Sequence, residues 1–370
     1  MKRVNYGRIS SLQLAQMLYP TIVSTAILTG PSLMVTQAKN DLWLSPICAA
    51  LGGFIVLYVT YSLARRYPQL TFIQYIQEII GMVPGKILGF LYLVFILQIC
   101  GNIVREYADF ISTFLMYTPS SVVCATLVLV CAMAIAAGLE TVGRASQFLF
   151  PLFTIPLIIT LILVLKDVEP RKILPILENG VMPSVIGAIT PFSWFSEIFL
   201  VSFFIPFLNN FRKGFMAGTM TIIVSMVTMI IVSMITFMLL GDFLPVTVYP
   251  FMDIANYISI ADFFESLESA VMAIWVIGVF VKVSVFYYAL SIGTTHLLEL
   301  TSMRPVILPL GLLIVLFSYW GIPDIATEFD LGKAAIPGGL FLFNLIIPSI
   351  LLLIAWLRRG YGISKGVNSG

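Results

Sequence analysis

Charge is what this chain has least of. Only 10% of its 370 residues are Asp, Glu, Lys or Arg, against about 25% in an ordinary soluble domain. The net charge of +2 is too small to favour a nucleic-acid partner. Histidine is nearly absent: His296 stands alone. With no histidine cluster and no CxxC spacing among Cys48, Cys100, Cys124 and Cys131, zinc, haem and iron–sulfur chemistry are excluded, and no cofactor or metal is expected. All four cysteines lie inside apolar stretches, where they read as small packing residues. An intramembrane enzyme would need a nucleophile–base pair or metal ligands at membrane depth, and neither is visible. The N-terminus carries no cleavable signal pattern.

What replaces charge is apolar length. Hydrophobic residues make up 59% of the sequence, and mean hydropathy is +1.03. A membrane-crossing helix needs about 20 such residues. Ten stretches qualify: 13–36, 42–64, 86–116, 121–139, 145–165, 184–208, 215–240, 266–293, 305–321 and 334–357. The expected fold is therefore an all-α integral membrane protein. It forms one domain over 1–360, with a disordered tail over 361–370. Short interfacial helices are expected in 166–183 and 241–265.

Positive charge sets the orientation. With the N-terminus inside, only Lys39, Lys166, Arg171, Lys172 and Lys333 fall outside, and Arg105 and Lys282 lie within spans. The other thirteen of the twenty lysines and arginines are cytoplasmic. Both ends are therefore expected in the cytoplasm.

Two stretches are interrupted in the same way. The first has Pro20, Ser24-Thr25-Ala26 and Thr29-Gly30-Pro31; the sixth has Gly187, Thr190-Pro191, Ser193 and Glu197. A lipid-facing helix cannot leave backbone groups unpaired, so interruptions at membrane depth imply a buried cavity. First and sixth are matching positions in two five-span halves, about 8–165 and 184–357. With an even number of spans between them, the halves have opposite topology. This predicts a five-plus-five inverted repeat with broken helices 1 and 6 and a small-solute site between them.

Lys282 is the sharpest single residue. It sits mid-span in AIWVIGVFVKVSVFYYAL, where a lysine costs at least ~2.5–3.5 kcal/mol. It should face the bundle interior and have a partner, and Glu197 is the natural candidate. It could receive a ligand carboxylate, or stand in for sodium between the first and eighth helices. Arg105 and Asp109, four residues apart in the third span, can pair on one helix face. With Glu106 they read as a structural ion-pair network. Trp194 and Phe195 could close over a solute or merely fill space. Glu140 and Arg144 read as a cytoplasmic anchor.

These motifs, in order, resemble a known family. They run TAILTGPSLM in the first span, REYADFISTFLMYTP in the third, GLETVGR before the fifth, the interrupted sixth, WVIGVFVKVSVFYY in the eighth and Arg358-Arg359 at the end. The chain resembles the spore germination permeases, the B subunits of GerA-type germinant receptors. These belong to the amino acid–polyamine–organocation superfamily. The resemblance covers about residues 8–360 and implies a LeuT-like fold with a pocket between helices one, three, six and eight. The implied location is the inner membrane of a bacterial endospore, with a receptor A subunit and a lipoprotein C subunit as partners. The implied ligand is a small germinant, an amino acid, with a sugar or another cosignal as the alternative.

Carried over by motif, the pocket positions are Ser24, Thr25, Ala26, Phe95, Ile99, Trp194, Phe195, Lys282 and Phe286. Thr29, Gly30 and Glu197 join them from the interrupted segments. In this reading Lys282 and broken-helix donors hold a ligand carboxylate, while backbone carbonyls and hydroxyls hold its amino group. A working amino acid permease would use the same pocket, coupled to protons or with the lysine in place of sodium.

Overall fold

A computed structural model describes residues 7–114, 118–257, 267–320 and 335–364. They form helices α1 (Ser11–Ala38), α2 (Ser45–Arg66), α3 (Phe72–Ile80), α4 (Met82–Phe114), α5 (Ser120–Ala136) and α6 (Leu139–Val164). The second half holds α7 (Met182–Gly187), α8 (Ile189–Ser196), α9 (Val201–Phe204), α10 (Phe211–Leu240) and α11 (Pro250–Tyr257). It ends with α12 (Leu267–Leu297), α13 (Arg304–Trp320), α14 (Ala335–Phe341) and α15 (Ile347–Ser364). Seven helical segments among the described residues are long and apolar enough to cross a membrane, and one of them, Ser11–Arg66, contains both α1 and α2. The chain is a multi-pass, all-helical membrane protein.

The apolar surface fits that solvent. Large side chains such as Phe148, Ile155 and Ile162 on α6, and Leu308, Leu312 and Leu316 on α13, are exposed. In water such a surface would drive association; against lipid tails it needs no cover. The polar residues are turned inward instead. Thr21, Ser24, Thr25, Ser196, Glu197 and Lys282 are all buried.

Helix α1 is the hub, packed against α6, α7, α8, α10 and α12. Its start is fixed by a capping box in which Ser10 and Gln13 exchange hydrogen bonds. Contrary to the expected interruption, α1 stays helical from Ser11 to Ala38 through Pro20 and Pro31. Each proline removes one backbone donor, and the residue after each turns its hydroxyl back onto the helix. Thr21 donates to the Met17 carbonyl at 2.7 Å and Ser32 to the Thr29 carbonyl at 2.8 Å.

The sixth segment is interrupted, at a different place from the one read from Thr190-Pro191. Pro191 lies inside the first turn of α8, where its missing N–H costs little. The irregular points are Ala188, between α7 and α8, and Glu197–Leu200, which winds as a 3₁₀ turn. Ser193 donates to the Thr190 carbonyl at 2.5 Å and Ser196 to the Ser193 carbonyl at 2.7 Å. A 3₁₀ turn inside a helix marks strain or a hinge.

The two segments run side by side in opposite directions. At the start of α1, Ile9 N–H donates to the Phe207 carbonyl at 3.1 Å and Asn209 N–H to the Ile9 carbonyl at 3.2 Å. At its far end, Asp41 accepts the Leu177 N–H at 3.0 Å, and Ser184 donates to the Asp41 carbonyl at 3.0 Å.

Between α14 and α15 the chain makes a π turn, Leu342–Ile346. Tyr92 donates to the Phe343 carbonyl at 2.6 Å, and Asn344 donates to the Ser196 hydroxyl at 3.0 Å. The π turn is thus clamped to α4 on one side and to the sixth segment on the other. Tyr92→Phe leaves that carbonyl without its donor, at a cost of roughly 1–3 kcal/mol. We expect its thermal unfolding in detergent to fall by a few degrees; an unchanged transition would show that the clamp holds nothing.

One peripheral expectation needs correction, at the C-terminus. The tail is helical as far as Ser364, and residues 365–370 lie outside the described residues. In 241–265 a 3₁₀ turn (Gly241–Val246) and α11 are present, while 258–265 lie outside the described residues. The 166–183 stretch holds two short 3₁₀ turns, Leu165–Asp167 and Pro170–Ile173.

Candidate functional site

Three elements meet at one buried ion pair. Lys282 on α12 donates to the Thr25 hydroxyl on α1 at 2.9 Å and to Glu197 Oε1 in the 3₁₀ turn at 2.9 Å. The lysine is 1% exposed and the glutamate 3%. A lone lysine here would be prohibitively costly, so the winding that turns Glu197 toward it supplies the compensating charge.

Beside the pair lies a cavity of about 100 Å³, room for several waters or one compact solute. Thr25, Thr29, Ile99, Trp194, Glu197 and Lys282, all predicted from sequence, line it. Gly30 contributes indirectly: a Cβ there would stand 3.2 Å from the Trp194 ring, so the missing side chain lets the indole lie against α1.

The other predicted positions fall outside the cavity lining. Ser24 is turned toward α12, where a Cβ on Gly278 would come within 2.6 Å of its own Cβ. Ala26 and Phe286 are buried in helix packing. Phe95 stacks on Phe343, with ring centroids 4.3 Å apart and planes 7° from parallel. Phe195 backs onto Gly53 of α2. The shared reason is helical phase: neighbours in sequence point about 100° apart, so only some of a motif can face one cavity.

The third-span triad divides. Arg105 Nε pairs with Asp109 Oδ2 at 2.8 Å, and its guanidinium lies 5.3 Å from the Tyr319 ring centre. Glu106 takes no part in that pair and instead lines the cavity. A sequence signal for this existed. Ile99, Asn102, Ile103 and Glu106 follow the spacing of one helix face, and all four line the cavity. Tyr249, Ile336 and Leu340 complete the wall from distant segments, and nothing local in the sequence marks them. The Glu140–Arg144 pair forms at 2.5 Å on the exposed surface, away from the cavity.

Solved structures share this fold. The nucleobase-cation-symport-1 family transporter Mhp1, closed with bromovinylhydantoin bound, matches with a TM-score of 0.66 and 13% identity, over 95% of this chain and 78% of its own. MhsT in complex with L-phenylalanine matches with a TM-score of 0.62 and 15% identity, over 94% and 98% respectively. These likenesses show a shared fold. Sequence relatives are closer in kind. Spore germination protein KB of Bacillus subtilis (strain 168) is 25% identical over 97% of this chain and 98% of its own length. Spore germination protein YndE of the same organism is 24% identical over 96% and 98%. The sequence profile described as spore germination protein matches residues 8–323, most of the chain and every element that builds the cavity except α14. On that match, the chain belongs to the spore germination protein family, the spore permeases.

Proposed function

We propose that this chain is the nutrient-sensing subunit of a spore germinant receptor. It binds a small germinant, an amino acid, in the cavity beside Lys282 and signals through partner subunits. The observation that carries this reading is the buried Lys282–Glu197 pair, which ties α1, α12 and the 3₁₀ turn together at the cavity wall. Three elements are joined by interactions that a bound solute can strengthen or compete with. Occupancy biases a rocking equilibrium only to the extent that the ligand prefers one of its two states. The chain acts as a receptor rather than an enzyme.

The proposed architecture is a LeuT-like five-plus-five inverted repeat in one domain over 1–360. Ten crossings result when Ser11–Arg66 counts as two and the shorter helices α5 and α13 each count as one. The antiparallel pairing of α1 with the sixth segment supports opposed halves. Both termini lie in the cytoplasm, and the membrane is the inner membrane of the endospore. A receptor A subunit and a lipoprotein C subunit are the proposed partners.

One observation favours a second reading. Lys282 bridges α1 and α12 through Thr25, as a sodium ion would in a coupled carrier. A sodium-independent amino acid permease is that alternative. Purified protein in proteoliposomes separates the two. Sensing predicts saturable binding of labelled amino acid without accumulation. Concentrative uptake by the isolated chain would establish the permease. Spores lacking the chain are expected to lose their response to one nutrient set only; an unaltered germination profile would remove it from the receptor.

A further inference from the structure

The hydrogen-bonding inventory of the cavity is unbalanced. Two of its hydroxyls donate to the backbone, Thr29 to the Thr25 carbonyl at 3.4 Å and Ser193 to the Thr190 carbonyl at 2.5 Å, and the Thr25 hydroxyl accepts from Lys282. Lys282 has three N–H groups, and two are engaged by Thr25 and Glu197. On the acceptor side, Glu197 Oε2 is buried without a hydrogen-bond partner. Glu106 lines the same cavity and has no salt bridge among the described residues. Two carboxyl groups therefore face one ammonium, and the surplus is of carboxyl oxygens. A solute that completes the site must bring donors and a positive charge.

The geometry points to a ligand carrying a protonated amine, with Glu106 on α4 as its counter-ion and Glu197 Oε2 as a second acceptor. This rests on the reading of the cavity as a small-solute site. It changes the orientation expected from the sequence, in which Lys282 took the ligand's carboxylate and backbone carbonyls and hydroxyls held its amine. Here the Lys282 ammonium is held by Glu197, and the ligand's ammonium is the group recognised with charge. The Glu106 carboxyl offers its oxygens to the amine as acceptors. A ligand carboxylate, where present, is left the third Lys282 N–H and the Asn102 side-chain amide, whose oxygen already accepts from Gln98 at 2.7 Å. The ammonium is therefore the indispensable group and the carboxylate the dispensable one.

The test uses the full-length protein in lipid nanodiscs, with thermal shift and calorimetry. The probes are L-alanine, L-valine and L-serine, each with its carboxamide and its 2-hydroxy acid analogue, together with D-glucose, sodium chloride and choline chloride. The carboxamide keeps the ammonium and the hydroxy acid loses it. We expect the carboxamides to bind within tenfold of the amino acids and the hydroxy acids to bind about tenfold or more weaker. Glu106→Gln, close to isosteric, should weaken amino acid binding by a similar factor and narrow the gap to the hydroxy acid. If that variant does not fold, the analogue series on the unmodified protein decides alone. Hydroxy acids binding as well as amino acids would overturn the proposal, as would undiminished binding by folded Glu106→Gln. Stabilisation by sodium but not choline, lost in Glu106→Gln, would assign the carboxyl to a metal cation and overturn it too. Glucose binding alone would uphold the cavity as a solute site and refute the amine. No binding by any organic probe would refute the solute site itself, and this inference with it.

Discussion

Lys282→Met is expected to abolish the nutrient response and to destabilise the protein at the same time. The variant leaves Glu197 buried at 3% exposure without its cation, and breaking a buried pair from one side costs about 3–5 kcal/mol. It also removes the donor to Thr25, so α1 and α12 lose their polar link. Loss of response alone would therefore not separate site from scaffold. The double variant Lys282→Met with Glu197→Leu does. Replacing both charges with apolar groups of similar size is often close to neutral, so its unfolding temperature should return near that of the unmodified protein. Its ligand binding should not return. Unfolding temperature by size-exclusion fluorescence and germination of complemented spores read the two effects separately. A single variant with normal stability and normal germination would remove the pair from both roles.

Gly278→Leu is expected to be comparably severe, and for a steric reason. A Cβ at Gly278 would stand 2.6 Å from the Ser24 Cβ and 2.6 Å from a ring carbon of Phe153, so α1, α6 and α12 meet where there is no room for a side chain. Small residues at such crossings allow the backbone approach on which membrane helix packing depends. Overpacking costs about 1–3 kcal/mol and sometimes more. Gly278 precedes Lys282 by one helical turn, so displacing α12 also draws the ammonium away from Thr25. Gly278→Ala should be milder, because the added methyl is partly offset by the roughly 1 kcal/mol that alanine gains over glycine in a helix. Adding Ser24→Gly should relieve part of the alanine variant's defect, since it removes one of the two colliding groups. Folded Gly278→Leu protein in normal yield would show that the helices separate here without cost.

Particular residues show how far local information reached. Lys282 and Glu197 stood out because charge at membrane depth is expensive and each needs the other. Thr25, Thr29 and Trp194 were legible because they flank helix breakers, and Ile99 because it lies near the bilayer centre of the third span. Glu106 was legible in type and misplaced in role. Its neighbours Arg105 and Asp109 pair with each other, and the helical twist carries the residue between them to a different face. Pro20 and Pro31 suggested a break that α1 does not make: the helix runs on through both prolines, packed on all sides by α6, α7, α8, α10 and α12. The winding at Glu197–Leu200 has no breaker residue to announce it.

The sequence by itself determined that the chain lives in a membrane, that it is helical, and that its rare buried charges must find each other. Those conclusions follow from transfer energies, which are additive over residues and need no coordinates. Tertiary structure alone decided which side chains face the cavity, that Tyr249, Ile336 and Leu340 close it, and that Glu106 keeps its carboxyl open to it. Such facts depend on helix phase and on contacts between segments far apart in sequence. No local pattern encodes those, because the energy that selects them arises only when the helices pack.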